Sequence, residues 1–182
     1  MDLYSLLTKF SKKYSANWIL ILSSLLITSL AQFQLINTFF FRDDFLHLYQ
    51  IANWPSLEFI FSNYGGHPYI FRNAVFLLMY KLFGMNASFY FLIVLLTHLL
   101  SVLILFKVIE LITGSSVIAF IGSTIWGISP VNYATLAWYS AYGHILIGPF
   151  FLLFIYDLLK IEKKKYEFSF FKSIKWSFYF FI

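Results

Sequence analysis

Three long stretches of the chain contain no charged residue, and they lie between Lys13 and Arg42, between Lys81 and Lys107, and from Leu111 to Tyr156. An α-helix rises about 1.5 Å per residue, so about 20 residues cover the roughly 30 Å hydrocarbon core of a bilayer. The first two stretches each predict one crossing, and the third is long enough for two. The pattern predicts an all-α, multi-pass transmembrane helical bundle.

The third stretch must reverse direction between its two crossings. The bend is predicted at Ser129-Pro130 through Tyr142-Gly143, because proline disfavours helix in the residue before it and the stretch carries polar residues and tyrosines suited to the interface. The predicted passes are residues 18–38, 86–106, 115–134 and 143–160, and residues 176–182 begin like a fifth. We therefore interpret residues 1–182 as the N-terminal part of one transmembrane domain, in a chain that is truncated after Ile182.

Residues 42–85, between the first two passes, are too many for a simple connector. Ser56 follows Asn53-Trp54-Pro55 as a helix start, and a short apolar patch comes after it. Residues 63–68 form a polar cluster that predicts a turn, and Phe71 to Phe83 is a second apolar stretch too short to cross. The pattern predicts two juxtamembrane helices lying flat at one mouth of the bundle, with Asp43, Asp44 and His47 beside them.

Lysine and arginine orient the predicted bundle, since cytoplasmic loops carry an excess of these residues. With the N-terminus in the cytoplasm, ten basic residues lie inside and three lie outside: Arg42, Arg72 and Lys81. Residues 42–85 would then face the extracytoplasmic side, together with the turn at Trp138-Tyr139-Ser140. The protein would be integral to the membrane, and to the plasma membrane if the source is prokaryotic.

Composition agrees with this class, because 60% of the residues are hydrophobic and only 12% are charged. The net charge of +5 does not indicate nucleic-acid binding, since the basic residues cluster at predicted membrane ends. The absence of cysteine leaves no disulfide framework and no thiolate chemistry. One alternative for the first apolar run is a cleavable signal peptide, although the run is longer than the usual apolar core of about 7 to 15 residues.

The sequence FFFRDDFLH holds the strongest candidate for chemistry, at the end of the first apolar run. If residues 42–50 are helical, Asp43 and Asp44 lie four and three positions before His47, so both carboxylates can reach one imidazole. Two adjacent carboxylates oppose joint ionisation, which suits a general base. A divalent cation (Mg²⁺ or Mn²⁺) bound to both would relieve the same repulsion. The alternative is that the pair caps or anchors the exiting helix.

Several weak motifs occur in an order that resembles the N-terminal part of GT-C membrane glycosyltransferases, and most closely the protein O-mannosyltransferase-like enzymes and their bacterial relatives. They are Arg42-Asp43-Asp44, Gly66-His67-Pro68, residues 80–86 (YKLFGMN), residues 96–100 (LTHLL), Ser129-Pro130-Val131-Asn132 and Ala137-Trp138-Tyr139-Ser140. Two positions depart from the family pattern: Ala134 replaces a glutamate, and Ser129 replaces a histidine.

The resemblance implies a polyprenyl-phosphate-linked sugar as donor, an acceptor hydroxyl on a protein, lipid or glycan, and inversion at the transferred sugar. It implies that Asp43 activates the acceptor, with Asp44 as its partner or as a metal ligand. From the residues themselves, we expect His67 and Arg72 to bind the leaving phosphate, because the arginine fork matches phosphate oxygens. As a fragment, the chain could lack activity by itself.

Four further residues are candidate substrate contacts: His47, His98, Trp138 and His144. His98 lies within the second pass, where an ionisable residue is a functional candidate, although a neutral histidine can instead bond a backbone carbonyl of a neighbouring helix. Two other classes of function remain open. One is a transporter or flippase, which would need ionisable residues in a midplane cavity between broken helices. The other is a non-catalytic membrane subunit.

Overall fold

The structure is a computed structural model that describes residues 3–164 and 175–176, with side chains described for residues 17–162 and 175–176. The described residues are mainly helical. The elements in chain order are α1 (Leu3–Ala31), a 3-10 helix (Phe33–Asn37), α2 (Asp43–Asn53), α3 (Ser56–Ile60), β1 (Asn63–Tyr64), β2 (His67–Pro68), α4 (Ile70–Phe83), α5 (Ala87–Thr113), α6 (Ser116–Gly127), α7 (Pro130–Leu136), a 3-10 helix (Tyr139–Ala141) and α8 (Tyr142–Lys164).

Two helical segments are long and apolar enough to cross a membrane, namely Ala87–Thr113 and Tyr139–Glu162. They correspond to the predicted passes at 86–106 and 143–160. The pair α6 and α7, which matches the predicted pass at 115–134, is bent by 52° and counts as a third span only if both helices are taken together. The predicted fifth pass falls largely on residues 177–182, which lie outside the described residues.

The first predicted pass, residues 18–38, is wrong at its end. Helix α1 ends at Ala31, and its apolar part, Asn17–Ala31, is shorter than the two candidate spans. Directly after the helix, the buried Gln32 side chain donates a hydrogen bond to the Gly127 carbonyl at 3.1 Å, which ties the end of α1 to the end of α6. The following 3-10 turn then places Leu35 in the core with no exposed surface.

Helix α5 is the centre of the packing, and paired contacts fix the directions of its neighbours. Ile109 lies beside Gly122 and His98 bonds Gly127, so α5 and α6 are antiparallel. Thr97 bonds Tyr142 at 2.9 Å and Ser101 lies beside Gly148, so α5 and α8 are parallel. Contacts of Asn17 with Ser116 and of Ser24 with Ser123 make α1 and α6 parallel. The ends of α1 and α7 and the starts of α5 and α8 therefore share one face of the molecule.

At the break between α6 and α7, Pro130 has no N–H to donate to the Trp126 carbonyl, and the Gly127 carbonyl lies at the end of α6, where helical carbonyls lose their usual donors. Side chains supply the missing donors. His98 Nε2 donates to the Gly127 carbonyl at 2.9 Å, and Gln32 donates to the same oxygen. Asn132 Nδ2 donates to the Trp126 carbonyl at 2.7 Å. One carbonyl thus joins α1, α5 and α6 at the level of the bend.

The predicted turn at residues 63–68 is confirmed, and it forms a two-residue β-hairpin within the otherwise helical chain. Gly65 and Gly66 both have positive φ, 59° and 83°, as a tight two-residue turn requires. The fully buried Asn73 of α4 then fastens α3 to α4, because its Nδ2 donates to the Phe59 carbonyl at 3.0 Å and to the Ile60 carbonyl at 3.2 Å.

A cluster of buried aromatic rings attaches these short elements to the start of α5. The Tyr139 ring lies 4.7 Å from the Phe76 ring and 5.0 Å from the Tyr90 ring, edge to face in both cases. Tyr139 also stacks on Tyr142 at 5.3 Å. These contacts bring the turn before α8 against α4 and α5, so that the turn reaches the acidic segment.

Acidic residues at the opposite end of the helices pair with nearby groups. Glu110 bonds Lys107 at 3.1 Å, and its other oxygen accepts from Ser116 at 2.7 Å and from Asn17 at 2.9 Å. Asp157 bonds Lys175 at 2.6 Å.

Candidate active site at the Asp43–Asp44 turn

A strained turn introduces the acidic pair. Arg42 has φ 49° and ψ −114°, and it is the one non-glycine residue with positive φ among those described. The Asp44 N–H donates to the Phe41 carbonyl at 3.1 Å, and the Asp44 carboxylate accepts from the Phe41 N–H at 2.9 Å. Strain of this kind costs about 1–3 kcal/mol and concentrates at functional sites.

Asp44 is fully buried and holds the turn before α8 in place. Its Oδ1 accepts two hydrogen bonds of 2.6 Å from Ser140, one from the backbone N–H and one from the hydroxyl. Its Oδ2 accepts the hydrogen bond from Phe41. Both carboxylate oxygens are therefore engaged. The bonds to Oδ1 join residues that lie 96 positions apart in the sequence.

His47 does not bond either aspartate, contrary to the prediction from helical spacing. Helix α2 does cover residues 43–53, but the buried His47 ring faces α4 and its Nε2 accepts from Arg72 at 2.8 Å. Its Nδ1 lies 3.1 Å from Gln50 Oε1. Arg72 also donates to the Ser140 carbonyl at 3.3 Å, so Arg72 joins α2 to the turn before α8. Arg72, on another helix, is therefore the partner of His47 Nε2, in place of Asp43 or Asp44 on the same helix.

Burial, followed by the nearby Arg72 cation, lowers the pKa of His47 from 6.5 to about 4. The unfolded chain therefore binds this proton more tightly, and the contribution of His47 to stability is complete above about pH 6.5 and is lost as the pH falls towards 4. A shift of this size corresponds to about 3 kcal/mol. We expect thermal unfolding in detergent to show this loss between these pH values.

The matched control for the pH dependence is His47→Gln, which keeps an acceptor for Arg72 but does not titrate. The free energy of unfolding of this variant should depend much less on pH between 6.5 and 4 than that of the wild type. An unchanged slope in His47→Gln would assign the pH dependence to other groups.

Asp43 differs from Asp44 in being only half-buried at the start of α2. The hydroxyl of Tyr64, on the hairpin, is its neighbour, and hydrogen bonding to the Asp43 carboxylate raises the pKa of Tyr64. Asp43 is therefore the carboxylate of the pair that remains accessible to another molecule.

Buried polar atoms without a hydrogen-bond partner collect around the Asp44–Ser140 contact. Across the described side chains there are five such atoms, and three of them belong to Arg72 (Nε), Trp138 (Nε1) and Tyr139 (Oη). Each could bond a ligand or a water molecule. Unsatisfied buried groups are rare in native structures, so their concentration here marks a candidate functional site.

An apolar groove of about 490 Å³ adjoins the acidic turn. Phe39, Phe41 and Arg42 form one side, and Ala134, Ala137 and Trp138 of α7 and the following turn form the other. Phe39 and Phe41 are more than half exposed, and the Arg42 guanidinium lies 4.8 Å from the Phe41 ring. The groove thus combines an aromatic wall with one exposed cation.

A second cavity, of about 150 Å³, lies on the other side of α7, between α5 and α8. Buried His98 and Ser101 are among the residues of its inner part, and Thr135 and His144 are exposed at its rim. His98 therefore has two roles, because its Nε2 satisfies the Gly127 carbonyl while the ring also lines this cavity.

The candidate residues therefore lie at three separate locations. Asp43, Asp44, His47 and Arg72 form one cluster, and Trp138 borders it from the groove. His98 and His144 line the second cavity. His67 is exposed on the hairpin, with its ring 5.9 Å from that of Tyr69.

The geometry of the pair does not favour a metal bound by both aspartates. Both oxygens of Asp44 already accept hydrogen bonds, which leaves Asp43 as the accessible ligand. Across the described residues, no group of three or more His, Asp or Glu side chains could hold a metal ion. A Mg²⁺ or Mn²⁺ ion at Asp43 would therefore need ligands from a bound substrate.

Sequence reasoning missed three contributors: Ser140, Gln50 and Tyr64. Ser140 and Tyr64 lie in turns far from Asp43 and Asp44 along the chain, and no local spacing relates them. Gln50 offered a signal, because it lies three positions after His47 on the same helix, where side chains meet.

The fold and the site together define a mainly helical protein with two or three candidate membrane spans and a buried acidic cluster at one end. Comparison with protein-family models, with curated proteins and with solved structures found no match for the chain.

Proposed function

We propose that the chain is part of a membrane glycosyltransferase that transfers a sugar from a polyprenyl-phosphate donor to an acceptor hydroxyl. The observation that carries the proposal is an apolar groove lined by an exposed arginine, Arg42, that directly precedes the accessible Asp43 in the chain. An isoprenoid chain needs an apolar groove, its phosphate needs a cation, and the acceptor needs a base. The resemblance of the motifs to GT-C enzymes points to the same class.

In the proposed reaction, the acceptor oxygen attacks the anomeric carbon of the donor sugar. The bond from that carbon to the phosphate oxygen breaks, and its electron pair leaves with the polyprenyl phosphate. Asp43 takes the acceptor proton, and attack opposite to the leaving group inverts the anomeric centre. Asp44 acts as a positioning residue, because it fixes the turn at Ser140 and the start of α2.

The geometry revises which cation faces the leaving phosphate. Arg72 is only 2% exposed, and one of its terminal nitrogens is engaged by His47 and Ser140. Arg42 is exposed and lines the groove one residue before Asp43. We therefore assign the phosphate contact to Arg42, while Arg72 holds the cluster together. His67 stays a proposed contact on the hairpin.

The proposed orientation places the N-terminus in the cytoplasm and the acidic site on the extracytoplasmic side. The distribution of lysine and arginine favours this orientation. The helix directions are compatible with it, because the acidic turn and the turn at Tyr139–Ala141 share one face. In a multi-pass bundle, that face would lie at the headgroup layer, where a polyprenyl phosphate presents its sugar.

The test is sugar transfer by the full-length protein in membranes supplied with undecaprenyl-phosphate-linked mannose or glucose. Asp43→Asn should reduce the release of undecaprenyl phosphate by about 100-fold or more, because general base catalysis contributes about 10²–10⁴-fold. Folding should be unaffected, since the side chain is half-buried and the substitution is isosteric.

The matched control is Glu58→Gln, which removes an exposed carboxylate from α3, the helix that follows α2 in the chain. It should retain full transfer. Transfer that persists in Asp43→Asn, in membranes where the wild type is active, would contradict the role of Asp43.

A second candidate function, a transporter, is supported by one observation. The span formed by α6 and α7 is broken, and the cavity beside α7 is lined by two histidines, as in transporters that bind substrate between broken helices. Uptake of solute into vesicles that contain the protein, with Asp43→Asn as active as the wild type, would favour this candidate over transfer.

A further inference from the structure

The cavity of about 150 Å³ beside α7 has a built polar lining. His98 and Ser101, at 3% and 2% exposure, supply buried polar groups from α5. Ser101 Oγ donates to the Thr97 carbonyl and keeps its acceptor capacity, and His98 donates through Nε2, so its Nδ1 stays without a bond among the described residues. Both groups can therefore serve a ligand.

Other polar groups come from the helices that face α5. Thr135 adds an exposed hydroxyl, and Asn132, whose Nδ2 is used, adds its amide oxygen. Pro149 in α8 cannot donate to the carbonyl of Ile145, and Ile145 also lines the cavity. The lining thus combines several hydrogen-bonding groups from α5, α7 and α8.

Glycine keeps the space between α5 and α8 open. A Cβ atom added to Gly148 would lie 3.4 Å from Ser101 Oγ, inside the lining of the cavity. A side chain at this position would therefore take up part of the space beside Ser101.

The character of the lining restricts the ligand. Among the described residues that line the cavity there is no Asp, Glu, Lys or Arg. A small cation would need carboxylates, and an anion such as phosphate would need arginine or lysine. Neutral hydroxyl, amide and imidazole groups beside the Trp126 ring and the Leu136 side chain instead suit a ligand with many hydroxyls and an apolar face.

We propose that this cavity binds one neutral monosaccharide ring. The volume has room for roughly five water molecules at about 30 Å³ each, which matches a single pyranose better than a longer glycan. The ring enters past Thr135 and His144 and is held by Ser101 and His98. The identification of this ring as part of a glycosyl donor or acceptor rests on the proposed function. Binding of a monosaccharide to the cavity is measured without sugar transfer.

The experiment is saturation-transfer difference NMR on the full-length protein in nanodiscs, with the methyl glycosides of mannose, glucose and galactose as probes. At least one glycoside should bind. Thr135→Val, which removes the hydroxyl with little change of shape, should weaken that binding about three- to tenfold, as expected for one lost hydrogen bond. The matched control is Thr113→Val, which changes an exposed threonine at the far end of α5 that lines neither cavity and should leave binding unchanged.

A blocking arm locates the bound glycoside. These 182 residues contain no cysteine, so Thr135→Cys introduces one thiol, any cysteine elsewhere in the full-length protein being replaced by serine. A bulky maleimide on Thr135→Cys should reduce binding at least about tenfold by closing the cavity. The same label on Val131→Cys, which is 81% exposed on α7 and does not line the cavity, should have no effect.

Several results would overturn the proposal. They are binding of none of the three glycosides by the wild type, binding of sodium ions or inorganic phosphate in their place, and glycoside binding that survives the label on Thr135→Cys. Failure of the proposed function is a separate result, because it appears as unchanged transfer in Asp43→Asn and leaves glycoside binding unaffected.

Discussion

Replacing Asp44 with alanine is expected to destabilise the protein by about 3 to 5 kcal/mol, because it removes a buried carboxylate that accepts three hydrogen bonds, each worth about 1.5 kcal/mol or more. The substitution removes the acceptor of two 2.6 Å hydrogen bonds from Ser140 and one of 2.9 Å from Phe41. The Phe41 N–H would lose its partner, and Ser140 would lose the contact that holds its turn. Thermal or denaturant unfolding in detergent measures the effect.

Two variants separate this structural role from chemistry at the same site. Asp43→Ala should change stability by less than about 1 kcal/mol, since the Asp43 side chain is only half-buried. Ser140→Ala removes one of the three hydrogen bonds to Asp44 and should cost about 1 kcal/mol. Equal destabilisation by Asp43→Ala and Asp44→Ala would contradict the assigned division of roles.

Gly127→Ala is expected to destabilise the protein by about 3 kcal/mol, at the upper end of the usual cost of overpacking. An added Cβ would lie 2.5 Å from Thr28 Oγ1 and 2.9 Å from Val102 Cγ2, so α1 and α5 would both have to move away from α6. The movement would also weaken the bonds that His98 and Gln32 donate to the Gly127 carbonyl.

Gly122→Ala is the matched control on the same helix. Its added Cβ would meet only Ile109 Cδ1, the mobile end of a long side chain, at 2.9 Å. The better helix propensity of alanine, about 1 kcal/mol, should offset that contact. Adding Thr28→Ala to Gly127→Ala removes the closest clash and should recover part of the lost stability. No recovery in the double variant would show that Thr28 is not the obstacle.

The sequence predicted the longest elements because their signal is strong and local. Uncharged stretches gave the positions of α5 and α8, and the predicted reversal between residues 129 and 143 agrees with the opposite directions of α6 and α8. The sequence also predicted that the acidic pair and the Trp138–Ser140 turn lie on one side, and the bonds between Asp44 and Ser140 agree with this. The end of α1 at Ala31 was missed, because the uncharged run continues to Phe41 and its composition does not show where the helix ends.

The partners within the site could not be predicted from local spacing. Helical periodicity placed Asp43 and Asp44 within reach of His47, but it carries no information about Arg72 on α4 or Ser140 before α8. Both of these residues offer better-placed hydrogen-bonding groups than the helix itself. Burial then decides the outcome, because a buried imidazole is neutral and accepts from arginine more readily than it pairs with a carboxylate.

Helix α7 forms a wall of both the groove and the cavity, with Ala134 on the groove and Asn132 and Thr135 on the cavity. A rigid partition between two compartments cannot enlarge both at once, so a tilt of α7 that widens one narrows its neighbour. A ligand bound in one of them therefore changes the free energy of binding in the other. Thermodynamic reciprocity makes this change equal in both directions.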